Sequence, residues 1–361
     1  MKPKLLFIYL HPSSFVREDL RILAEEYELV RFQAAGEARP GPLGLAALMV
    51  RQLFWLLREM PRARGVYGWF ADYHMVLPVV VARLFRRPVA VAVGGFDAIS
   101  LPSLRYGVVL SSWRWPLTRI VIRSADVLLP VSPSLVYSRN SYSEWPRETE
   151  QGIRALLPDT RTEIQVLPTG YDPDLWTLGP SDREDIVSTV GLFDSERTLR
   201  RKGLDVFFET ARGMPDVQFR VIGVVDPSSV VARFDPPANV ELIEPVERSA
   251  LVDHYHETSV YLQLSRAEGL PNVLCEAMLC GCIPVGSRAF GIPDGVGDAG
   301  WVVEKPHAED VSAAVRAALQ APAELREAAR AHIEKEFHID SRRRDLLAIM
   351  HHLTDRHGDV S

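Results

Sequence analysis

Short apolar runs recur along the chain and alternate with amphipathic stretches. In the first half they fall at residues 4–10, 28–32, 65–69, 88–93, 126–130 and 163–167, and in the second half at residues 186–190, 217–222, 240–243, 259–264 and 283–285. Runs of this length that alternate with helical periodicity are typical of buried parallel strands joined by helices. The pattern predicts an α/β fold with parallel sheets.

Helical periodicity is clearest at residues 204–212, where apolar side chains recur at i, i+3, i+4 and i+7 and Gly213 follows. Further helices are predicted at residues 15–26 and 73–85. The alternation restarts after the Gly-, Pro- and Asp-rich segment 179–185, and 361 residues leave room for about two domains. We therefore predict two α/β domains over residues 1–178 and 185–340, and a C-terminal helix over residues 341–361 that returns to the first domain.

The composition is that of an ordinary globular protein, with 47% hydrophobic and 24% charged residues and a net charge of −6. The apolar run at residues 5–10 is shorter than the core of a signal peptide, and no stretch has the ~18 uninterrupted apolar residues of a membrane span. Cys275, Cys280 and Cys282 fit buried thiols in a reducing compartment better than disulfides. These features predict a cytoplasmic protein that does not bind nucleic acid.

Positive charge is concentrated in one stretch of the first half. Between Arg51 and Arg123, eleven arginines stand against three acidic residues, and four tryptophans lie among them, at positions 55, 69, 113 and 115. Two interpretations remain open. The stretch forms either a face for anionic lipid or a phosphate-bearing acceptor at the inner side of a membrane, or a solvated helix surface above core tryptophans.

Several familiar motifs lack the context that their chemistry needs. Gly295, Gly297 and Gly300 spell GxGxxG, but the motif leads into a strand instead of opening a helix, so we do not expect NAD binding. Asp172 and Asp174 flank a proline, which indicates a turn. The remaining candidates have no ligand set around them and are read as surface histidines: His254, His256, His351, His352 and His357. No metal cofactor is expected.

The segment SRAEGLPNVLCEAMLCGCIPVGS, from Ser265, carries the most specific signal. A strand ends before it, a short loop holds Glu268 and Gly269, and a helix is predicted to begin with Pro271 at its first position. The free N–H groups at such a helix end suit an anion or sugar hydroxyls. Glu276 lies one and a half turns into the helix and leans back toward its beginning. Both carboxylates are therefore predicted to serve one site.

A cluster of cations precedes the helix at residues 204–212, namely Arg197, Arg200, Arg201 and Lys202. Lysine offers a point charge and arginine grips two oxygens, so the cluster suits a diphosphate. By itself it fits a solvated basic turn equally well.

Taken together, Lys202-Gly203 before a helix and EGLPNVLCEAM…GxPV resemble the family 4 (group 1) glycosyltransferases of the GT-B fold. RSADVLLPVSPSL, VLPTGYDPDLW and GIPDGVGDAGWVV resemble further segments of that family in the same order. The resemblance covers nearly the whole chain and is strongest over residues 125–303. It implies two facing Rossmann-like domains, the first on the acceptor side and the second binding a nucleotide sugar.

The resemblance also implies roles for individual residues. Glu276 would bind the donor ribose, and Glu268 would contact the transferred sugar. Lys202 and Arg197 would hold the diphosphate, with Arg200 and Arg201 as alternatives. Other residues implied at the site are the loop residues Gly269, Leu270, Pro271 and Asn272 and, from the first domain, Gly94, Gly95 and Asp97. The reaction would retain anomeric configuration without a metal, and the acceptor would be a glycan, a lipid-linked glycan or a small molecule.

Two positions depart from the family pattern. Gly191 is followed by Leu192, where the family has arginine, and HPSSF replaces the glycine-rich turn after the first strand, which leaves roles for His11 and Ser13 open. Two other functions are compatible with the resemblance, a nucleotide-sugar epimerase of the same fold and a non-catalytic nucleotide-sugar-binding subunit.

Overall fold

The computed structural model describes residues 2–34, 41–143 and 145–356 and divides them between two α/β domains. The strands of the first domain are β1 (Lys4–Tyr9), β2 (Glu28–Gln33), β3 (Ala63–Trp69), β4 (Val89–Val93), β5 (Val127–Pro130), the short pair β6 (Ser138–Arg139) and β7 (Glu150–Gln151), and β8 (Glu163–Ile164). Its helices are α1 (Ser14–Leu23), α2 (Pro42–Glu59), α3 (Val76–Leu84), α4 (Arg114–Ser124) and α5 (Ile153–Leu156).

The first domain is built on a parallel sheet with strand order β2-β1-β3-β4-β5-β8. From β1 the chain first adds β2 at one side of the sheet, and the later strands β3, β4, β5 and β8 are added at the other side. Because crossovers between parallel strands are right-handed, α1 lies on one face of the sheet and α2, α3 and α4 lie on the opposite face. The contacts agree, because α3 packs against both α2 and α4 while α1 packs against the C-terminal helix.

The second domain repeats the arrangement with strand order β11-β10-β9-β12-β13-β14, again parallel. Its strands are β9 (Ile186–Phe193), β10 (Gln218–Val224), β11 (Val240–Ile243), β12 (Val260–Gln263), β13 (Ile283–Ser287) and β14 (Trp301–Val303). Its helices are α6 (Glu196–Arg201), α7 (Leu204–Arg212), α8 (Pro227–Phe234), α9 (Leu251–Glu257), α10 (Asn272–Leu279), α11 (Ile292–Val296), α12 (Ala308–Leu319) and α13 (Glu324–Glu336), and α14 (Ile339–Arg356) follows.

The chain crosses back to the first domain at the junction of α13 and α14. Tyr171 N–H donates to the Phe337 carbonyl (2.8 Å), and Ile339 N–H donates to the Tyr171 carbonyl (3.0 Å), so the two interdomain segments are paired there. On α14, Arg342 forms a buried bidentate ion pair with Asp19 of α1, in which Nε donates to Oδ1 at 2.7 Å and Nη2 donates to Oδ2 at 2.8 Å. Asp19 also accepts hydrogen bonds from Tyr67 and Trp69, which ties α14 to the first sheet.

The observed elements confirm the α/β prediction with small shifts. The returning helix begins at Ile339, not at residue 341, and the stretch predicted as one helix at residues 73–85 is a short 3₁₀ turn followed by α3. Pro271 is the residue before α10, not its first residue. The pair β6–β7 was not predicted, because two-residue strands leave no periodicity. His357 and residues 358–361 of the predicted C-terminal helix lie outside the described residues.

No helix within the described ranges is long and apolar enough to cross a membrane.

Candidate active site in the interdomain cleft

The Lys202-Gly203 motif and the segment that begins at Ser265 meet at a topological switch point of the second sheet. The chain leaves β9 toward one edge of the sheet and leaves β12 toward the other, so a crevice opens between the carboxyl ends of these neighbouring strands. Ligands of open α/β sheets bind in such crevices. Lys202 lies in the connection after β9 and Glu268 in the loop after β12, so the topology brings them together across 66 positions of sequence.

Lys202 and Glu268 form a close ion pair. The Lys202 Nζ atom donates to Glu268 Oε1 at 2.5 Å, and Ser265 Oγ donates to the same oxygen at 3.2 Å. The adjacent Gly203 has a φ of 77°, and a Cβ there would stand 2.3 Å from the Leu264 carbonyl oxygen. The turn between α6 and α7 therefore needs glycine to press against the end of β12, and this contact holds Lys202 in the crevice.

The charges of this pair depend on each other. Burial raises the pKa of Glu268, but Lys202 and Arg201 outweigh it, and the net pKa lies below its ordinary value. Burial lowers the pKa of Lys202 despite the attraction of Glu268. Each side chain is about one-seventh exposed, so an anionic ligand that reaches Lys202 meets a poorly solvated cation.

The second cation of the cluster is Arg201. Its guanidinium donates to Glu268 Oε1 (3.3 Å) and to the Ala267 carbonyl (3.2 Å), and it stacks on the ring of Tyr106 from the first domain. Arg200 instead pairs with Glu196 one turn earlier on the surface of α6. Arg197, chosen from the sequence as the diphosphate ligand, is exposed on α6 and forms no ion pair with any residue that the structure describes. The contacts thus favour Arg201 over Arg197.

Glu276 enters the same crevice from α10. Its side chain is only 3% exposed and pairs with Arg248, whose Nη2 and Nε atoms lie 2.6 and 3.2 Å from Glu276 Oε1. Arg248 is half exposed and stacks on the Trp176 ring, with 5.1 Å between guanidinium and centroid. Burial raises the pKa of Glu276, and Arg248 opposes the rise. Arg248 thus supplies the cation that partly offsets the burial of this carboxylate.

Sequence reasoning missed Arg248 and Trp176. Arg248 lies in a 3₁₀ turn before α9, and Trp176 in the interdomain segment. Trp176 ends the segment VLPTGYDPDLW, from which no role for its ring was inferred, and Arg248 belongs to no segment singled out in the sequence and lies 28 positions before Glu276. Only the packing of α10 beside the segment before α9 joins them.

The loop that begins α10 is packed against the first domain. A Cβ on Gly269 would stand 2.6 Å from the Gly94 carbonyl oxygen, and a Cβ on Gly95 would stand 3.4 Å from the Gly269 nitrogen. Two backbones therefore meet directly across the cleft. Beside them, Asn272 Oδ1 accepts from the Tyr171 hydroxyl (2.9 Å), and its Nδ2 donates to Ser14 Oγ (3.3 Å). Leu270 and Pro271 between these contacts are buried.

Asp97 is placed behind this contact and not in the cleft. Its Oδ2 accepts from Ala71 N–H (2.9 Å) and its Oδ1 from Gly95 N–H (3.0 Å), and the side chain is almost fully buried. Burial raises the pKa of Asp97 to about 6, although these hydrogen bonds favour the carboxylate. The contacts favour a role in shaping the glycine loop over the catalytic role that the resemblance implied.

The turn after β1 brings two serines, Ser13 and Ser14, to the cleft. His11 is exposed, whereas Ser13 Oγ is buried and has no hydrogen-bond partner among the described residues. Ser14 and Asn272 line a small cavity between the domains together with Thr169, Tyr171, Arg248 and Arg342. The cavity therefore connects α1 of the first domain to the Glu276–Arg248 pair.

Other sequence motifs lie away from this chemistry. The three cysteines are buried and free, as predicted, and burial raises their pKa values. Gly297 ends α11 with a φ of 55° before β14, which is not the context of a dinucleotide fingerprint. Within the described part of the chain, no three His, Cys, Asp or Glu residues are grouped as a metal site.

Known structures share this architecture over almost the full chain. The sucrose-phosphate synthase of Thermosynechococcus elongatus superposes with a TM-score of 0.74 at 15% identity, covering 98% of this chain and 100% of that one. The HepE protein of Anabaena, solved in complex with UDP-glucose, gives a TM-score of 0.70 at 13% identity, covering 96% and 99% of the two chains. Fold and cleft thus define a protein with the GT-B fold of the glycosyltransferases.

A match to a known family falls on the second domain. Residues 191–336 match the family of glycosyl transferases group 1, and this range includes the segment from Lys202 to Glu276. The second domain of this chain therefore resembles the corresponding domain of the group 1 glycosyl transferases. Among curated proteins, one component of the human phosphatidylinositol N-acetylglucosaminyltransferase is 27% identical over 149 residues. That match covers 39% of this chain and 29% of the human protein.

Proposed function

We propose that this protein is a cytoplasmic, retaining glycosyltransferase that moves a sugar from a nucleotide-diphosphate sugar to a glycan, a lipid-linked glycan or a small-molecule acceptor. One observation carries the proposal. Two cations, Lys202 and Arg201, and two carboxylates, Glu268 and Glu276, converge on the crevice at the switch point of the second sheet. A diphosphate needs the cations, and the hydroxyls of ribose and sugar need the carboxylates.

The donor takes over contacts that the side chains now make with one another. The diphosphate binds Lys202 and Arg201, which frees Glu268 to accept hydrogen bonds from the transferred sugar. The ribose hydroxyls donate to Glu276, and Arg248 turns away toward solvent, for which its half-exposed position leaves room. Each exchange replaces an existing contact with a charge-assisted hydrogen bond from or to the donor, so neither buried carboxylate is left without hydrogen-bond donors.

The chemical step then exchanges one C–O bond for another at the anomeric carbon. The bond to the diphosphate oxygen breaks, and the acceptor hydroxyl attacks from the same face, so the configuration is retained. The acceptor proton passes to the departing phosphate oxygen, and the nucleoside diphosphate leaves. Lys202 and Arg201 stabilise the charge that develops on that leaving group, which is why the proposal includes no metal.

The relatives support a choice of first substrates. HepE was solved with UDP-glucose, which makes UDP-sugars the first donors to test. The name of the human relative describes N-acetylglucosaminyl transfer and a phosphatidylinositol, which supports including a lipid acceptor among the candidates.

The donor site is tested by thermal melting of the protein with UDP-, GDP-, ADP- and TDP-sugars, with NAD as control. A ligand at about 100 times its Kd stabilises the folded state by about 2.7 kcal/mol, which is readily seen as a higher melting temperature. One nucleotide sugar that raises the melting temperature supports the proposal and identifies the donor. No shift with any of them, or a shift with NAD alone, contradicts it.

Product analysis separates transfer from the two other functions. Incubation of the selected nucleotide sugar with acceptor candidates is followed by chromatography and NMR of the sugar products. Nucleoside diphosphate release with a new α- or β-linked product of unchanged anomeric configuration indicates retaining transfer. An epimerised sugar indicates an epimerase, and binding without turnover indicates a non-catalytic binding protein.

A further inference from the structure

Three helices of the first domain form one continuous outer surface. Helices α2, α3 and α4 cover the same face of the sheet, with α3 in contact with both neighbours. They also run in the same direction, because each returns the chain from the carboxyl end of one parallel strand to the beginning of the next. We call this surface the α2–α4 face.

Large apolar side chains are exposed along the α2–α4 face. On α2 the exposed side chains include Leu43, Val50, Phe54 and Leu57, with Leu43 88% and Phe54 70% accessible. Their spacing of seven, four and three residues places them on one side of the helix over about 21 Å. The neighbouring helices continue the apolar surface with Val80, Leu84, Trp113 and Ile120. Exposed apolar side chains in this number on adjoining helices indicate an interaction surface.

The sequence left open whether the tryptophans of the arginine-rich stretch lie on an interaction face or in the core, and the structure shows both positions. Trp69 is fully buried in the core beneath the helices, whereas Trp113 is half exposed just before α4. The sequence pattern alone could not separate them, because both lie among arginines. Trp113 belongs to the α2–α4 face, and Trp69 does not.

The charges on this face are almost all positive. Within the three helices the single acidic residue is Glu59, which is 12% exposed and already paired with Lys4 and Arg58. Most of the exposed arginines lie at the ends of the helices or just beyond them, and the three ends lie at one edge because the helices run in the same direction: Arg58, Arg62, Arg64, Arg83, Arg86 and Arg123. Arg119 is exposed halfway along α4. Arg123 pairs with Asp159, and the described part of this edge otherwise keeps a clear cationic excess.

We propose that the α2–α4 face docks on an anionic lipid bilayer. Its apolar side chains enter the boundary between headgroups and acyl chains, and its arginines contact lipid phosphates, which is the pairing of features that interfacial helices use. A second copy of the chain is a poorer occupant, because a two-fold interface joins this face to itself and the three helices offer the arginines no acidic partner except Glu59, which is already paired. Nucleic acid would leave the apolar side chains without a partner.

Docking of this face on a bilayer would bring the cleft close to an acceptor carried on a lipid. The three helices begin at the cleft edge of the domain, because they follow the carboxyl ends of the strands that also line the cleft. The cleft therefore opens beside the bilayer, within reach of an acceptor carried on a lipid. The access of a lipid-linked acceptor to the cleft rests on the proposed function. Bilayer binding itself does not, because it is measured without donor or acceptor.

The test is vesicle co-sedimentation with the purified protein. Vesicles of phosphatidylcholine with 30% phosphatidylglycerol are compared with pure phosphatidylcholine at low and high salt. We expect binding to the anionic vesicles that falls as salt screens the arginines. The variant Phe54→Ser/Leu84→Ser is expected to lose about tenfold or more in partition coefficient. The variant Arg58→Ala/Arg83→Ala is expected to lose about fivefold per arginine.

A matched control changes exposed apolar residues of the second domain, Val225→Ser/Val231→Ser, and should bind as the unmodified protein does. Melting temperatures within a few degrees of the unmodified protein show that each variant is folded. The proposal is overturned by absence of binding to anionic vesicles at low salt, or by equal losses in the control. It is also overturned if light scattering shows a dimer that Phe54→Ser/Leu84→Ser abolishes while vesicles do not bind.

Discussion

Removing the Lys202 ammonium should slow sugar transfer more than any neighbouring change. Its Nζ atom is fixed at 2.5 Å from Glu268 and is largely shielded from solvent, so it is preorganised for a diphosphate. A unit charge about 4 Å from a developing phosphate charge is worth about 4 kcal/mol at an effective dielectric constant of 20. Loss of one such group typically lowers turnover by about 10²–10³-fold. We expect Lys202→Ala to fall in that range.

The assay is release of nucleoside diphosphate from the donor that the melting screen selects, first with water in place of the acceptor and then with acceptor. Arg201→Ala should lose turnover too, because Arg201 contacts the same carboxylate at 3.3 Å. Arg200→Ala is the matched control, since Arg200 lies one position away but pairs with Glu196 on the surface. Arg197→Ala tests the cation that the sequence suggested.

Two results would refute this reasoning. If Lys202→Ala keeps turnover within about threefold of the unmodified protein, the ammonium does not stabilise the leaving group. If Arg197→Ala loses as much turnover as expected for Arg201→Ala while Arg201→Ala is active, the cluster observed here is not the one that binds the diphosphate. Donor affinity measured in parallel by calorimetry separates a loss of binding from a loss of rate.

Three further predictions rest on buried carboxylates. Glu276→Ala should weaken donor binding by about 1–3 kcal/mol in calorimetry, since ribose hydroxyls lose their acceptor, and an unchanged Kd would contradict the ribose assignment. Asp19→Ala should lower the free energy of unfolding by about 3–5 kcal/mol in urea, because it strands the buried Arg342, whereas Glu18→Ala in a surface pair should change little. Asp97 has a folded pKa raised from 3.8 to about 6, so the folded state holds the extra proton and stability should fall as pH rises from about 4 to 6. Asp97→Asn should flatten that decline in pH-dependent melting, and an unchanged slope would show that Asp97 does not titrate there.

Several site features were predictable because they depend on short stretches of sequence. The Glu268–Glu276 spacing crosses the boundary between a loop and a helix: Glu268 lies in the loop just before α10, and helical geometry directs Glu276 back toward the beginning of α10. The Gly203 turn could likewise be read from its place directly before the helical pattern of α7, whereas the short helix α6 before it was not predicted. The prediction of Pro271 as the first helical residue was off by one position, which is within the usual fraying of helix ends.

Other features were beyond sequence reasoning because their partners are distant in the chain. Arg201, Arg200 and Arg197 lie within five positions of one another, and only the direction in which α6 presents each side chain separates the cleft from the solvent. Arg248 reaches Glu276 through packing of the segment before α9. Asp97 lies in a loop that the motif correctly placed at the cleft, but its carboxylate turns inward to two backbone N–H groups.

The sequence by itself determined the alternation of strands and helices, the division into two domains and the placement of one carboxylate in a loop and one on the helix that follows it. Each of these follows from periodicity or chain-local geometry, which depends on neighbours within a few residues. The tertiary structure alone decided which arginine joins Lys202, which cation accompanies Glu276, and which tryptophan of the arginine-rich stretch is exposed on the α2–α4 face. Those outcomes depend on how distant elements pack, and burial and charge pairing are properties of the packed chain, not of its local pattern.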